Sequence, residues 1–506
     1  MSVIPIRARP LIQLSLLFFI GLLLAGAGEL PYSGYLQLIV LAFVWRLIGN
    51  LENNSFTTLF TKGLVFGLGY FILALWWIYI SLHDVGGISS LLSTFAVFAL
   101  ASLMAIYFGL AIGLGFFISN PFWRALALPA AWVMAEYLRG QLFTGFPWMG
   151  LAESQVHGPF SAIAPYFGGL ACTFLFVWAA WQISLFKVRN IVGVFTVIAF
   201  TQIIGLWQFT SPIGEPISVR LIQGNFEQSL KFNPKEIVRQ INFYRDAIVK
   251  APADLIIVPE TAFPWPEPDL PDQSLKTIQD FANQSGSQVL LGLIGKIPRD
   301  SNTFQYSNRV TGFTKDQALY HYDKHHLVPF GEFIPPGFQW FVDAFKVPMS
   351  NFARGAITQP PFAVLGKNQD TSKARYAAIS ICYEDIFGNE IASRLRQSQH
   401  SVNLLINVTN LAWFGKSQAP MQQLRLSQLR SIETGLPSLR ATNTGITAII
   451  DHRGKVQASL DQFVQAELSA TVQPYTGKTP YVVWGNWPIL IFSLLVLLTA
   501  FIRFRK

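Results

Sequence analysis

The hydropathy pattern changes character once along this chain. Up to about residue 210, apolar runs of bilayer-crossing length follow one another with short polar breaks. A helix needs ~20 mostly apolar residues to cross the hydrocarbon layer. On that measure seven spans are expected at 11–28, 34–49, 58–81, 89–118, 122–139, 161–186 and 191–209, and an eighth at 488–502. The fifth is the weakest, since Arg124 and Glu136 lie near its ends. The first could also be read as a signal peptide, with Arg7 and Arg9 before an apolar run and Ala25-Gly26-Ala27-Gly28 after it. Its length and the six further spans favour an uncleaved anchor.

From Pro216 the texture is different. Short β-branched runs alternate with amphipathic stretches. Strands are expected at 217–222, 254–258, 288–293, 303–311, 317–322, 375–382, 402–408 and 446–450, and helices at 234–250, 271–285 and 417–435, the last joining the final two strands. The mixture predicts an α/β domain with largely buried strands. Three regions follow: a transmembrane helical domain at 1–210, an α/β domain at 211–486, and a C-terminal span with a basic tail at 487–506.

Charge gives the spans a direction. Arg7, Arg9, Arg46, Lys62, Arg124, Lys187, Arg189, Arg503, Arg505 and Lys506 fall on one set of span ends. The alternate loops Gly28-Glu29-Leu30-Pro31 and His83-Asp84-Val85-Gly86 carry no Lys or Arg. The positive-inside rule then predicts cytoplasmic termini and places 211–486 on the outer face. Arg139, on the outer side, is the exception, and loss of the fifth span would invert the assignment. Composition agrees with a membrane protein: 51% of residues are hydrophobic and 13% charged. The net charge of +9 gathers at span ends rather than in a stripe suited to nucleic acid. Two cysteines, Cys172 and Cys382, exclude a disulfide framework. His325-His326 has no companion ligands at metal spacing, so no metal and no cofactor is expected.

Three polar residues stand where apolar strands stop: Glu260 after Leu255–Pro259, Lys324 after Leu319–Asp323, and Cys382 after Ala377–Ile381. Sites of α/β sheets gather beyond strand ends. A carboxylate, an ammonium and a thiol there could serve as base, oxyanion stabiliser and nucleophile. Taken singly, each has a plainer reading: a solvated loop acid, a surface lysine, a core thiol.

At these points the chain resembles the carbon–nitrogen hydrolase (nitrilase) superfamily, whose members use a Glu–Lys–Cys triad. It is most similar to the membrane branch, the apolipoprotein N-acyltransferase family. The matching stretches are Gln223-Gly224-Asn225, Gln228-Ser229-Leu230-Lys231, Pro259-Glu260, Lys324 to Phe333, Pro348-Met349-Ser350, Ile381-Cys382-Tyr383-Glu384, Ala412 to Ser417 and Thr442 to Thr447. The chain departs from the family pattern at Phe232 (tryptophan is usual), Leu411 (aspartate), Gln423 (histidine) and Leu436 (arginine). These departures bear on substrate positioning and rate, not on reaction type.

The resemblance implies an αββα sandwich beside the membrane helices and a two-step, ping-pong acyl transfer. A phospholipid, typically phosphatidylethanolamine, would give its sn-1 acyl chain to Cys382. The acceptor would be the α-amine of an S-diacylglyceryl-cysteine at an apolipoprotein N-terminus. Glu260 would be the general base, and Lys324 would activate the thiol and hold the oxyanion. Glu332, Tyr383 and Glu384 match supporting positions. Candidate substrate contacts are Phe232, Trp413, Phe146 and Trp148, with Phe341 and Phe345 in an aromatic, amphipathic stretch at 338–349 that suits a lid or arm. The implied location is a bacterial inner membrane, multi-pass, with the catalytic domain facing the periplasm. Two rivals remain at this point: a membrane-anchored amidase sharing the triad, and a transporter or lipid-binding protein with a degenerate soluble domain.

Overall fold

The computed structural model describes residues 9–49, 55–231, 233–298, 303–337, 351–366 and 373–504. Two compact units emerge, one from 1–208 with 484–506 and the other from 209–483.

The helical unit contains α1 (Arg9–Gly28), α2 (Ser33–Gly49), α3 (Phe56–Ala74), α4 (Ser90–Phe117), α5 (Pro121–Arg139), α6 (Ala164–Ser184), α7 (Val188–Ile204) and α12 (Trp487–Phe504). Among the described residues, four segments are long and apolar enough to cross a membrane: Leu11–Gly28, Phe56–Ala74, Ser90–Phe117 and Ser161–Ser184. Ser33–Gly49, Val188–Ile204 and Trp487–Arg503 are apolar but shorter. α5 carries Arg124, Glu136 and Arg139. The expected span 58–81 is not one helix. The chain leaves helical geometry at Leu75 (φ −112°, ψ 10°), then forms a short helix at Trp77–Ile80 and a π turn at Ser81–Val85. An all-apolar run has no periodicity to mark such a break.

In the other unit alternation builds a double sheet. The first sheet contains β1 (Ile217–Gln223), β2 (Leu255–Ile257), β3 (Phe263–Pro266), β4 (Gln288–Pro298), β5 (Phe304–Phe313), β6 (Tyr320–Asp323) and β13 (Ala466–Val472). Its order is β13-β1-β2-β4-β5-β6, with β3 beside β4. The second contains β7 (Phe362–Val364), β8 (Arg375–Ile381), β9 (Val402–Thr409), β10 (Ser438–Thr442), β11 (Ala448–Ile450) and β12 (Val456–Ser459), in the order β12-β11-β10-β9-β8-β7. In each sheet three neighbouring strands run parallel: β1, β2 and β4 in one, β8, β9 and β10 in the other.

Side chains of a strand alternate between its two faces. Val219, Leu221, Leu255, Ile257 and Leu290 meet Ile379, Ile381, Ile406, Val408 and Leu439 in the layer between the sheets. The opposite faces are covered by helices. Ile256, Val289 and Leu291 pack on α8 (Pro234–Val249) and α9 (Asp272–Ser285). Leu405 and Val402 pack on α10 (Gly388–Gln397). The layering is αββα. One expectation is corrected here: α11 (Ala419–Thr434) does not lead directly to Ala448–Ile450, because β10 intervenes. Arg440 in its centre hides the strand in the sequence, yet it is fully buried against Asp385.

Candidate active site

Strands of both sheets deliver their ends to one place. Glu260 follows β2, Lys324 follows β6 directly, and Cys382 follows β8 directly. The turn at Glu260 is tight. A Cβ on Gly292 of β4 would collide with the Pro259 carbonyl and the Glu260 Cα, so glycine makes room for it.

Lys324 is wholly buried. Its Nζ lies 2.8 Å from Glu332 Oε2 and 3.6 Å from Glu260 Oε1. Asn308 of β5 donates from Nδ2 to both acids, at 2.6 Å to Glu260 and 2.9 Å to Glu332. The backbone N–H groups of Asn410 and Val328 donate to Glu260 and Glu332, at 2.7 and 2.9 Å. Burial disfavours the Lys324 ammonium, but Glu332 and then Glu260 outweigh it and hold its pKa above the ordinary value. Cys382 retains partial exposure. Burial of the sulfur pushes its thiol up to about 12, Glu260 adds to this, and Lys324 opposes it. The resting group is therefore a neutral thiol beside an anchored carboxylate and a fixed cation. That arrangement can pass a proton from sulfur to carboxylate while the ammonium faces the developing negative charge.

Glu384 joins the lysine and cysteine loops. Its Oε1 accepts from the N–H groups of His325 (2.8 Å) and His326 (3.2 Å), and its Oε2 accepts from Ile381 N–H (2.7 Å) and the Tyr322 hydroxyl (2.9 Å). Tyr383 is buried, with its ring 5.7 Å from His326 and 5.2 Å from Phe387.

The structure thus brings Glu260, Lys324, Glu332 and Cys382 together, with Glu384 bonded to the segments that carry Lys324 and Cys382. The candidate substrate contacts fall in both units. Trp413 is half-buried in the turn Ala412–Phe414. Trp148 is buried in the helical unit, 5.1 Å from Trp77 and 6.4 Å from Phe146, so it packs inside that unit rather than offering itself to a ligand. Phe232, and the stretch 338–349 with Phe341 and Phe345, lie outside the described residues. Of the departures, Leu411 is buried against Gly445, Leu436 joins an apolar cluster with Leu395 and Leu405, and Gln423 enters a polar network considered below.

Sequence reasoning missed Asn308, Asn410 and Lys231 as site residues. Asn410 also takes part through its side chain, donating to Gln228 Oε1 at 2.7 Å. Lys231 is buried, and its burial lowers its pKa to about 8, although Glu260 and Cys382 act in the opposite sense. A polar residue inside a buried strand (Asn308) and an amide just past a strand end (Asn410) were the available signals. Lys231 stood inside a matching stretch with no role attached.

Comparison with known proteins agrees with this architecture. Residues 218–481 match the carbon–nitrogen hydrolase model, and residues 20–182 match the apolipoprotein N-acyltransferase N-terminal domain. The α/β unit is therefore a carbon–nitrogen hydrolase domain. An apolipoprotein N-acyltransferase of Ralstonia nicotianae is 39% identical over 88% of this chain and 85% of its own. Those of Nitrosomonas europaea and Chromobacterium violaceum are each 36% identical, covering 93% of both chains and 97% and 95% respectively. The chain belongs to the apolipoprotein N-acyltransferase family.

Proposed function

We propose that this protein is a membrane acyltransferase that moves the sn-1 acyl chain of a phospholipid, phosphatidylethanolamine foremost, to the N-terminal α-amine of a diacylglyceryl apolipoprotein. The observation that carries the reading is the anchored Glu260–Lys324–Glu332 cluster beside Cys382. Glu260 takes the thiol proton, and the thiolate attacks the ester carbonyl. Lys324 faces the oxyanion and cannot leave, because Glu332 holds it. Collapse of the tetrahedral intermediate breaks the ester C–O bond. The lysophospholipid oxygen takes the proton from Glu260, and a thioester remains on Cys382. The amine then attacks the thioester and Glu260 accepts its proton. The second collapse breaks the C–S bond, returns a proton to sulfur and releases the N-acylated lipoprotein.

Eight spans, cytoplasmic termini and a periplasmic catalytic domain are the arrangement we infer for the whole chain. The four long apolar helices and the three shorter ones give seven of these spans, and α5 (Pro121–Arg139) is taken as the eighth. The shorter helices, at 1.5 Å per residue, suit a thin or locally pinched bilayer.

The test is incubation with phosphatidylethanolamine vesicles and no acceptor. A hydroxylamine-sensitive acyl group should accumulate on Cys382 and vanish on addition of a diacylglyceryl peptide. Cys382→Ser should form none while still inserting in membranes. An unmodified Cys382, or full turnover by the serine variant, would remove the thiol from the mechanism. Hydrolysis of a small amide without any lipid adduct would favour an amidase.

A further inference from the structure

Cys382 has φ +51°, in the left-handed region that a side chain disfavours by roughly 1–2 kcal/mol. Something must hold it there, because strained residues persist only where their surroundings over-determine them. The restraint lies on the carbonyl of the same residue. Gln423 Nε2 on α11 donates to it at 2.9 Å, and Asn407 Nδ2 on β9 donates at 3.3 Å.

An amide side chain can present either end, so what turns these two the right way decides the geometry. Arg440 is fully buried and can only donate. Its Nη2 donates to Gln423 Oε1 at 2.7 Å, and its Nη1 donates to Asn407 Oδ1 at 3.1 Å. With both oxygens taken, both amide NH2 groups must point away from the guanidinium and toward the nucleophile's backbone. Asp385 and Ser427 hold Arg440 in turn, at 3.0 Å each. The clamp reaches Cys382 through its carbonyl, and none of these hydrogen bonds involves Glu260 or Lys324.

We propose that Arg440 sets the nucleophile: by fixing the oxygens of Gln423 and Asn407 it aims two amide donors at the Cys382 carbonyl and keeps that residue in its left-handed conformation, with sulfur facing Glu260 and Lys324. These are positioning residues, and the inference rests on the reading of Cys382 as nucleophile. A rigid fork suits the task, since one planar cation serves two acceptors at fixed angles.

The experiment compares three variants of the full chain in single-turnover acylation by phosphatidylethanolamine vesicles. Gln423→Met keeps the volume but cannot donate, and should slow acyl-enzyme formation about tenfold or more, since misplacing a reacting group by ~1 Å costs that much or more. The vesicle concentration giving half-maximal rate should change less than about twofold, because binding is not what the clamp controls. Gln428→Met removes a buried amide donor from the same helix, one that reaches the Gly454 carbonyl at 2.7 Å and takes no part in the clamp. It should lower thermal stability comparably and leave the acylation rate within about twofold. If Gln423→Met does not fold, Gln423→Glu replaces it. That variant keeps the acceptor for Arg440 but turns an oxygen toward the Cys382 carbonyl, and the same loss is expected. An unchanged rate in the Gln423 variants, or an equal loss in Gln428→Met, overturns the clamp. Cys382→Ser is run alongside: if it is inactive while Gln423→Met is normal, only the clamp falls. If Cys382→Ser is active, the nucleophile assignment falls first.

Discussion

Each unit buries a cluster of ionisable side chains, and the two clusters are built on opposite plans. In the helical unit Glu136 accepts from Trp132 Nε1, Leu151 N–H and Thr173 Oγ1 at 3.2, 3.0 and 2.9 Å. Arg139 donates to the carbonyls of Phe146 and Trp148, and Glu153 accepts from Gly150 N–H. These partners are mostly backbone groups of the loop after α5, a segment with positive φ at Phe143, Thr144 and Met149. The charges there tie down a loop. In the α/β unit the charges face one another, two acids and an ammonium, and a neutral thiol lies among them. Buried ions bound to neutral groups serve architecture, whereas buried ions set against each other around a nucleophile are poised to move a proton. Under the proposed orientation Arg139 would be an outer-side cation, and its guanidinium is bonded to loop carbonyls.

Replacement of single residues should separate the two plans. Lys324→Met should abolish acyl-enzyme formation and cost about 3–5 kcal/mol in stability, because Glu260 and Glu332 lose their shared cation. Chemical denaturation and hydroxylamine-sensitive labelling read the two effects. Glu384→Gln should lower the acylation rate by about 10–100-fold, since an amide cannot accept from four donors at once. A rate within a few-fold of the parent would mean that the two loops hold themselves.

Lys231 offers a pH test. Its folded pKa of about 8 lies below its unfolded value of 10.5, so between these two pH values the unfolded chain binds the extra proton. The Lys231 contribution to stability should therefore rise with pH from about 8 to 10.5, opposed above about pH 9 by the raised Cys382 thiol, and Lys231→Met should remove that rising part, most plainly between pH 8 and 9. An identical slope in the variant would separate Lys231 from the effect. Arg139→Met should have the smallest catalytic consequence. It should destabilise by about 1–3 kcal/mol through carbonyls left without a donor, yet acylate at nearly the parent rate once folded. Loss of acylation in well-folded protein would erase the distinction between the clusters.

Much of the site was legible because its chemistry sits at strand ends. Glu260, Lys324 and Cys382 each close an apolar run, and a period of two is visible in sequence. Glu384 was legible as a neighbour of Cys382, but not its reach to His325 and His326, since that contact spans 58 to 59 positions. Asn308, Asn410 and Arg440 were not legible. Their importance comes from partners distant in the chain, and neither a polar residue within a strand (Asn308, Arg440) nor an amide just past one (Asn410) shows which partner it meets. The breaks in the helical unit were hidden for the opposite reason: uniform apolarity around Leu75 carries no pattern at all. The strand Ser438–Thr442 was missed because a central arginine argues against burial unless its acid partner is known.

Cys172 has a practical consequence. It is fully buried in α6, with Sγ donating to the Phe160 carbonyl at 3.3 Å, and it is the chain's only other sulfhydryl. Under the proposed mechanism, a hydroxylamine-labile fatty increment in the weight of the intact polypeptide is then an address as well as a tally. Weighing the whole molecule, without digestion, counts how many copies in a preparation are loaded and ready to hand on their cargo.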